Sequence, residues 1–303
     1  MASQWKHCNL GDVVTLQRGF DLPQRERRNG DVPIVTSSGV TGYHDTAKVK
    51  GPGVVTGRYG TLGEVFYIKE DFWPHNTALY VRDFQGNVPL FISYFLRTLK
   101  FAAQNAAGAV PGVNRNALHL MPVRIPSPVI QRRIAAILSA YDDLIENNTR
   151  RIRILEEMAQ LLYGEWFVHL RFPGHEGVKM VKGVPEGWEV KKLSERIETQ
   201  YGYTESASEN QVGPKFVRGM DINKASYIRW DEVPYCPIDE ADYPKYKLGL
   251  GDIVVIRMAD PGKVGIIEKN VDAVFASYLI RLRIISPRLS PYYLFYFRIY
   301  SWG

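Results

Sequence analysis

The sequence predicts an α+β fold, with two strand-rich domains in tandem joined by one long coiled-coil spacer helix. Three observations predict it. Residues 1–128 are filled with short β-branched runs between glycine and proline turn signals. The same order of landmarks returns over residues 185–303. Between them, residues 129–170 carry the period of a helix, followed by a linker at 171–184.

In the first domain, Gly11-Asp12-Val13-Val14-Thr15-Leu16 and Val32-Pro33-Ile34-Val35-Thr36 read as strands, as do Gly53-Val54-Val55-Thr56, Glu64-Val65-Phe66-Tyr67-Ile68 and Thr77-Ala78-Leu79-Tyr80-Val81. From Leu90 to Phe101 the pattern changes to helix, with Leu90, Tyr94, Leu96 and Leu99 recurring at helical spacing. Pro111-Gly112-Val113-Asn114-Arg115 reads as a loop before a last strand at Val123 to Ile125.

The middle segment carries apolar or seam-compatible residues at Ile130, Ile134, Ile137, Tyr141 and Leu144, then at Ile152, Leu155, Ala159, Leu162 and Trp166. Steps of four and three alternate, which is heptad spacing. A stutter places polar Asn148 on the seam. Pro126, Pro128 and Pro173-Gly174 punctuate the two ends. The helix would be roughly 55 Å long at 1.5 Å per residue, which suits a spacer better than an amphipathic helix packed on one core.

The second domain repeats the first. Trp5 and Leu10-Gly11-Asp12 are echoed by Trp188 and Leu193-Ser194-Glu195. Val54-Val55, Gly60 and Gly63 are echoed by Val254-Val255, Gly262 and Gly265, and Thr77-Ala78-Leu79 by Ser277-Tyr278-Leu279. Pro89-Leu90-Phe91 returns as Pro291-Tyr292-Tyr293. The offset drifts from 183 (Trp5 to Trp188) to 200–202 at these later landmarks, and Glu205 to Pro214 is the expected insertion. Tyr94 is followed by 72 residues up to Trp166, whereas 7 follow Tyr296, so a full second copy would need about 65 more.

Composition narrows the function. A chain of 303 residues with 45% hydrophobic content supports two cores. The net charge of +6 leans toward a polyanionic partner. Residues 1–128 hold 14 Lys/Arg against 9 Asp/Glu, and the helical stretch 129–170 holds 5 against 6. The helix is therefore not a basic element gripping DNA along its length. Cys8 and Cys236 make no disulfide or metal pattern, and no apolar leader or membrane-length run is present. A soluble cytoplasmic protein with no membrane partner is the simplest reading.

Catalytic chemistry has no constellation to work with. Gly262-Lys263 lacks the rest of a phosphate-cradling loop, and no Pro-Pro occurs to build an adenine-methyltransferase cradle. The six histidines show no metal spacing. The expectation is a non-enzyme with no metal and no cofactor.

What remains are contact loops. Gly57-Arg58-Tyr59-Gly60-Thr61-Leu62-Gly63 sets a cation, a ring and a hydroxyl between glycines, which let a backbone approach a partner closely. An arginine there can fork onto guanine or hold a phosphate. Its counterpart, Arg257-Met258-Ala259-Asp260-Pro261-Gly262-Lys263, keeps a cation and the glycine. Arg18, Arg25, Arg27 and Arg28 crowd the first loop, Asn114 and Arg115 sit before the last strand, and Lys215 and Arg218 are the second-half candidates. The DNA-binding set is thus Arg18, Arg25, Arg58, Tyr59, Thr61, Asn114, Arg115, Lys215, Arg218, Arg257 and Lys263.

The order of these motifs resembles the specificity subunit of a type I restriction–modification system. The resemblance is carried by Gln17-Arg18-Gly19-Phe20-Asp21-Leu22-Pro23, Thr36-Ser37-Ser38-Gly39, Gly51 to Gly63 and Asn76-Thr77-Ala78-Leu79. Pro126-Ser127-Pro128-Val129-Ile130-Gln131-Arg132-Arg133-Ile134-Ala135, Tyr141 to Asn148 and Pro185-Glu186-Gly187-Trp188 complete it. It implies two target-recognition domains that read a split site in double-stranded DNA. It also implies a spacer that docks methyltransferase and restriction subunits. The family's second spacer helix has no counterpart here, so the seam of Ile130, Ile134, Ile137, Tyr141, Leu144, Ile152, Leu155 and Leu162 is expected to pair in trans. The partner helix would come from a second copy or a modification subunit. A stand-alone two-domain DNA-binding regulator and a coiled-coil scaffold for proteins are the other classes the residues allow.

Overall fold

The computed structural model describes residues 5–58, 63–99, 114–222, 227–259 and 261–302, with side chains as far as Phe297. The chain forms two compact units, residues 1–148 and 149–303.

The first unit contains β1 (Trp5–Asn9), β2 (Thr15–Arg18), β3 (Val32–Thr36), β4 (Gly39–His44), β5 (Gly53–Gly57), β6 (Val65–Ile68), β7 (Trp73–Pro74) and β8 (Ala78–Asp83). Helix α1 (Pro89–Arg97), α2 (Arg115–His119), strand β9 (Pro122–Pro126) and helix α3 (Pro128–Tyr163) follow. The central sheet has the order β2-β8-β5-β6, β3 pairs with β4 and, in parallel, with β7, and β1 pairs with β9. Side chains alternate across a strand, and here both faces of the sheet are covered. Leu16, Val54, Leu79 and Val81 pack with Phe91, Ile92 and Leu96 of α1 and with Leu118, Val123 and Ile125. Val55, Ala78 and Tyr80 pack on the other face with Val35, Ile68 and Phe72. Burial on both faces is why these strands read as unbroken apolar runs.

The second unit contains β10 (Met180–Val181), β11 (Val184–Pro185), β12 (Ile197–Tyr201), β13 (Lys215–Val217), α4 (Gly219–Ile222), α5 (Tyr243–Tyr246), β14 (Ile253–Ile256), β15 (Val264–Ile266), β16 (Ala273–Phe275), β17 (Leu279–Ile284) and α6 (Pro291–Trp302). Its sheet, β12-β17-β14-β15, has the strand order of the first, and β13 pairs in parallel with β16 as β3 does with β7. One sheet face packs Ile253, Val255 and Leu282 under Leu294 and Phe295, and the other packs Val254, Ile256 and Leu279 on Phe275.

Hydrogen-bond register fixes the correspondence between the copies. Leu16 pairs with Val81 and Thr199 with Leu282. The Gly19 amide donates to the Ala78 carbonyl at 3.1 Å, and the Gly202 amide to Leu279 at 3.2 Å. Residues 16–20 thus correspond to 199–203. The pairs Val54–Tyr67 and Ile253–Ile266 set β5 and β6 on β14 and β15, each 199 residues on. This corrects the sequence alignment in two places. Val54 corresponds to Ile253, one residue before the Val254-Val255 doublet. Gly63 corresponds to Gly262, and both take positive φ, +90° and +95°, where a side chain is strained.

The insertion also moves. Val35 and Val217 pair with Pro74 and Phe275, which accept from Phe20 and Tyr203, so the offset is still 182 at Val217. Glu205 to Pro214 therefore adds nothing. The extra residues lie between Val217 and Ile253, a segment that includes α4 and α5.

Two local expectations change as well. Gly11-Asp12 belongs to a 3-10 turn, Leu10–Asp12, and the strand starts at Thr15. Asn114-Arg115 is no loop: the Asn114 side chain accepts from the Asn116 amide at 2.9 Å and caps α2, which Arg115 opens.

Helix α3 runs for 36 residues, and Gly164–Val168 continue it as a π turn. In the first unit it is anchored by Gln131, which is wholly buried. The Gln131 amide donates to Pro126 O at 2.9 Å and to Asn87 Oδ1 at 2.7 Å, and its carbonyl accepts from Val88 N at 2.9 Å. Ala135 is buried beside it, and Asp142 accepts from the Tyr94 hydroxyl at 2.7 Å. In the second unit Tyr163 is buried against Tyr293, with ring centroids 5.2 Å apart.

Candidate nucleic-acid interface

Strands β2 and β5 both run antiparallel to β8. The ends at which they leave the sheet therefore meet the end at which β8 enters. Arg18-Gly19, Gly57-Arg58 and Asn76-Thr77 come together there. The crossing is tight: a Cβ on Gly19 would sit 2.2 Å from the His75 carbonyl oxygen, so only glycine fits. The Arg58 amide donates to the Thr77 carbonyl at 3.1 Å. Beside them the Arg18 guanidinium lies 4.0 Å from the Asp21 carboxylate, which also accepts from the Asn76 amide. Burial, then the charge of Arg27, holds His75 below the usual histidine pKa, so the ring is neutral near pH 7.

Arg25, on the loop after β2, is exposed and 3.8 Å from Glu26. Exposed pairs of this kind are worth little, so a phosphate can compete for the cation. Asn114 and Arg115 lie at the start of α2, which packs beside β2 through a bond from the Leu16 amide to His119 Nε2 at 3.0 Å. Tyr59 and Thr61 lie outside the described residues.

The second unit builds the same sheet end with other side chains. Gly202 repeats the tight crossing, since a Cβ at that position would fall 2.2 Å from the Ala276 carbonyl oxygen. Arg257 repeats Arg58, its amide donating to Tyr278 O at 3.0 Å. Tyr201 stands where Arg18 stands, and the Arg257 guanidinium lies over its ring, 4.8 Å from the centroid. The Arg257 Nε donates to the Ser277 carbonyl at 3.0 Å. Tyr201, Met258 and Tyr278 are exposed around it. Lys263, also exposed, follows Gly262 and takes the position of Glu64.

Two candidates are committed to the fold. Lys215 Nζ donates to Val233 O at 2.6 Å and sits over the Tyr235 ring at 4.1 Å. Arg218 is forked onto Asp221, with Nε–Oδ2 3.1 Å and Nη2–Oδ1 3.0 Å. Tyr201, Ser277, Tyr278, Asp21 and Asn76 were missed by the sequence reading. For Tyr201 the signal was available: like the predicted Arg18, it immediately precedes the glycine of the repeated crossing.

The seam divides differently. Ile130 and Ile134 are half-buried, and Ile134 packs against the first unit's core. Ile137, Tyr141, Leu144, Ile152, Leu155 and Leu162 are 45–62% exposed. At about 100° per residue, Ile137, Tyr141 and Leu144 lie roughly 130° round the helix from Gln131, Ala135 and Asp142. In the first unit the helix packs with one face and presents Ile137, Tyr141 and Leu144 on another; in the second unit Ile152 shares a cavity lining with Tyr292 and Tyr296.

Among the described residues no three His, Cys, Asp or Glu are grouped to hold a metal, and no helix is long and apolar enough to cross a membrane.

Known proteins resemble this chain in sequence and in fold. The family described as Type I restriction modification DNA specificity domain matches residues 2–157. The chain is 30% identical over 222 residues to the type I restriction enzyme MjaVIII specificity subunit of Methanocaldococcus jannaschii, covering 68% of this chain and 50% of that protein. It is 30% identical over 160 residues to the MjaIX specificity subunit of the same organism, covering 47% of this chain and 37% of that one. The matched stretches therefore span half or less of those relatives' own lengths. The fold is similar to the S subunit of the type I restriction–modification system from M. genitalium, with a TM-score of 0.60 at 14% identity, covering 98% of this chain and 76% of that one. With the family matched over more than half of its length and the fold shared, this chain belongs to the type I restriction–modification DNA specificity family.

Proposed function

We propose that this chain is the sequence-specific DNA-binding subunit of a type I restriction–modification complex. It reads a split target in double-stranded DNA, with residues 1–128 and 185–303 as recognition domains for the two halves. Residues 129–170 form the spacer, 171–184 the linker, and the spacer docks modification and restriction subunits through its exposed seam. The chain performs no chemistry itself and works in the cytoplasm, where its DNA and partner enzymes are.

The observation that carries this reading is the pair of matched sheet ends. Each places an arginine, Arg58 or Arg257, at the same backbone position beside a glycine crossing, yet the surrounding side chains differ. A shared scaffold with different reading groups suits two different half-sites. Phosphate contacts from Arg25, Arg115 and Lys263 would supply salt-dependent affinity, and base-edge contacts the discrimination.

Selection of bound sequences from a random duplex pool, with and without the methyltransferase subunit, tests it. A split motif with a fixed gap is expected. A compact single motif would replace this reading with that of a stand-alone regulator, and no enrichment would replace it with a protein-binding scaffold.

A further inference from the structure

Arg257 differs from the other candidate cations of the second unit in how it is held. Its guanidinium lies over the Tyr201 ring at 4.8 Å, and its Nε donates to Ser277 O at 3.0 Å. These two contacts restrain the plane of the group and use the one nitrogen that is not part of the terminal fork. Lys215 and Arg218, by contrast, are each turned onto a partner inside their own unit. Among the described residues no carboxylate pairs with Arg257, and its Nη atoms make no hydrogen bond. Tyr201, Met258 and Tyr278 are exposed beside it.

We infer that Arg257 reads a guanine in the second unit's half-site, and that Tyr201 is the positioning residue that holds its guanidinium for a two-pronged contact with O6 and N7. The inference rests on the DNA-reading function proposed above and adds which base is read and by what device. The chemistry follows from geometry. A planar fork matches the two acceptors of guanine in the major groove, and a lysine cannot reproduce it. Fixing the fork on a ring beforehand removes part of the ordering cost of binding. In the first unit Arg18 occupies the Tyr201 position, so that ring has no counterpart there. The half-sites are therefore read differently at equivalent places.

The test compares the full chain with R257K, R257A, Y201A and Y201F, each assembled with the methyltransferase subunit, in duplex selection and in binding across a salt series. For R257K, preference for guanine at one position of one half-site is expected to fall about ten- to a hundredfold, with the other half-site unchanged. The slope of log affinity against log salt should stay as in the parent, since the charge is kept. Y201A is expected to lose roughly two- to fivefold at that same position, and Y201F, which keeps the ring, to regain it.

If R257A weakens all sequences equally and lowers the salt slope while R257K binds like the parent, Arg257 touches phosphate and the inference fails. If Y201A discriminates as well as the parent, the positioning role fails. If the parent complex enriches no split motif, the functional reading fails instead. That outcome is distinct from a split motif whose bases ignore Arg257.

Discussion

Replacing Gln131 by methionine tests what holds the long helix to the first unit. The side chain is nearly the same size, so the packing volume is kept and the hydrogen bonds alone are lost. Gln131 serves Val88 N, Pro126 O and Asn87 Oδ1. Asn87 is only half-buried and keeps its Nδ2 bonds to Val13 O and Phe84 O, so water can serve its Oδ1 and the loss falls mainly on two backbone groups. Each buried group left without a partner costs about 1–3 kcal/mol. Methionine recovers part of that by burying an apolar chain, which leaves a net loss of about 3 kcal/mol. For a unit of this size, about 2–4 °C of melting temperature per kcal/mol converts this to a fall of roughly 6–12 °C. Circular dichroism melts of the full chain give the shift, and hydrogen exchange at the Val88 amide gives the local loss of protection. A destabilisation below about 1 kcal/mol, with Val88 still protected, would refute the claim that this glutamine anchors the helix.

Gly19→Ala and Gly202→Ala should each destabilise their own unit by about 3 kcal/mol or more, because a Cβ 2.2 Å from a backbone oxygen forces the crossing apart; unchanged urea midpoints would contradict this. The Tyr94 hydroxyl pKa is pushed up to about 12, first by burial and then by its bond to Asp142. Its folded value exceeds the unfolded one near 10, so the contribution is complete below pH 10 and lost as pH rises toward 12. Tyr94→Phe should remove that alkaline dependence, and an unaltered pH profile of stability would count against the Tyr94–Asp142 contact. On the seam, Leu144→Glu and Leu155→Glu alter exposed residues, so folding should be unaffected while co-elution with the methyltransferase subunit is lost. Retained co-elution would place the docking surface elsewhere.

The architecture was legible in the sequence where the pattern was long and periodic. The helix needed no tertiary information, because five seam positions on each side of one stutter repeat at heptad spacing, and it was found at Pro128–Tyr163 with a π turn to Val168. The tandem repeat was legible because turn glycines and apolar doublets return in order. Its register was not. Val54-Val55 and Val254-Val255 look alike, but both faces of these strands are buried, so a slip of one residue leaves the pattern equally apolar. The pairs Val55–Tyr80 and Val254–Arg281, on strands β8 and β17 already matched, distinguish the two alignments.

The candidate interface shows the same division. That cations lie beside glycines at strand ends is legible in the chain alone, because close backbone approach leaves few alternatives to glycine. Which cations face outward was decided by tertiary structure. Lys215 and Arg218 are as basic as Arg257 in the sequence, but partners in their own unit, Val233 and Asp221, hold them. Tyr201 and Ser277 are 56 and 20 residues from Arg257 in the chain and meet it only because β12 and β14 flank β17. Local sequence specifies the backbone path of a loop. The orientation of a charged side chain depends on the neighbours that folding brings to it.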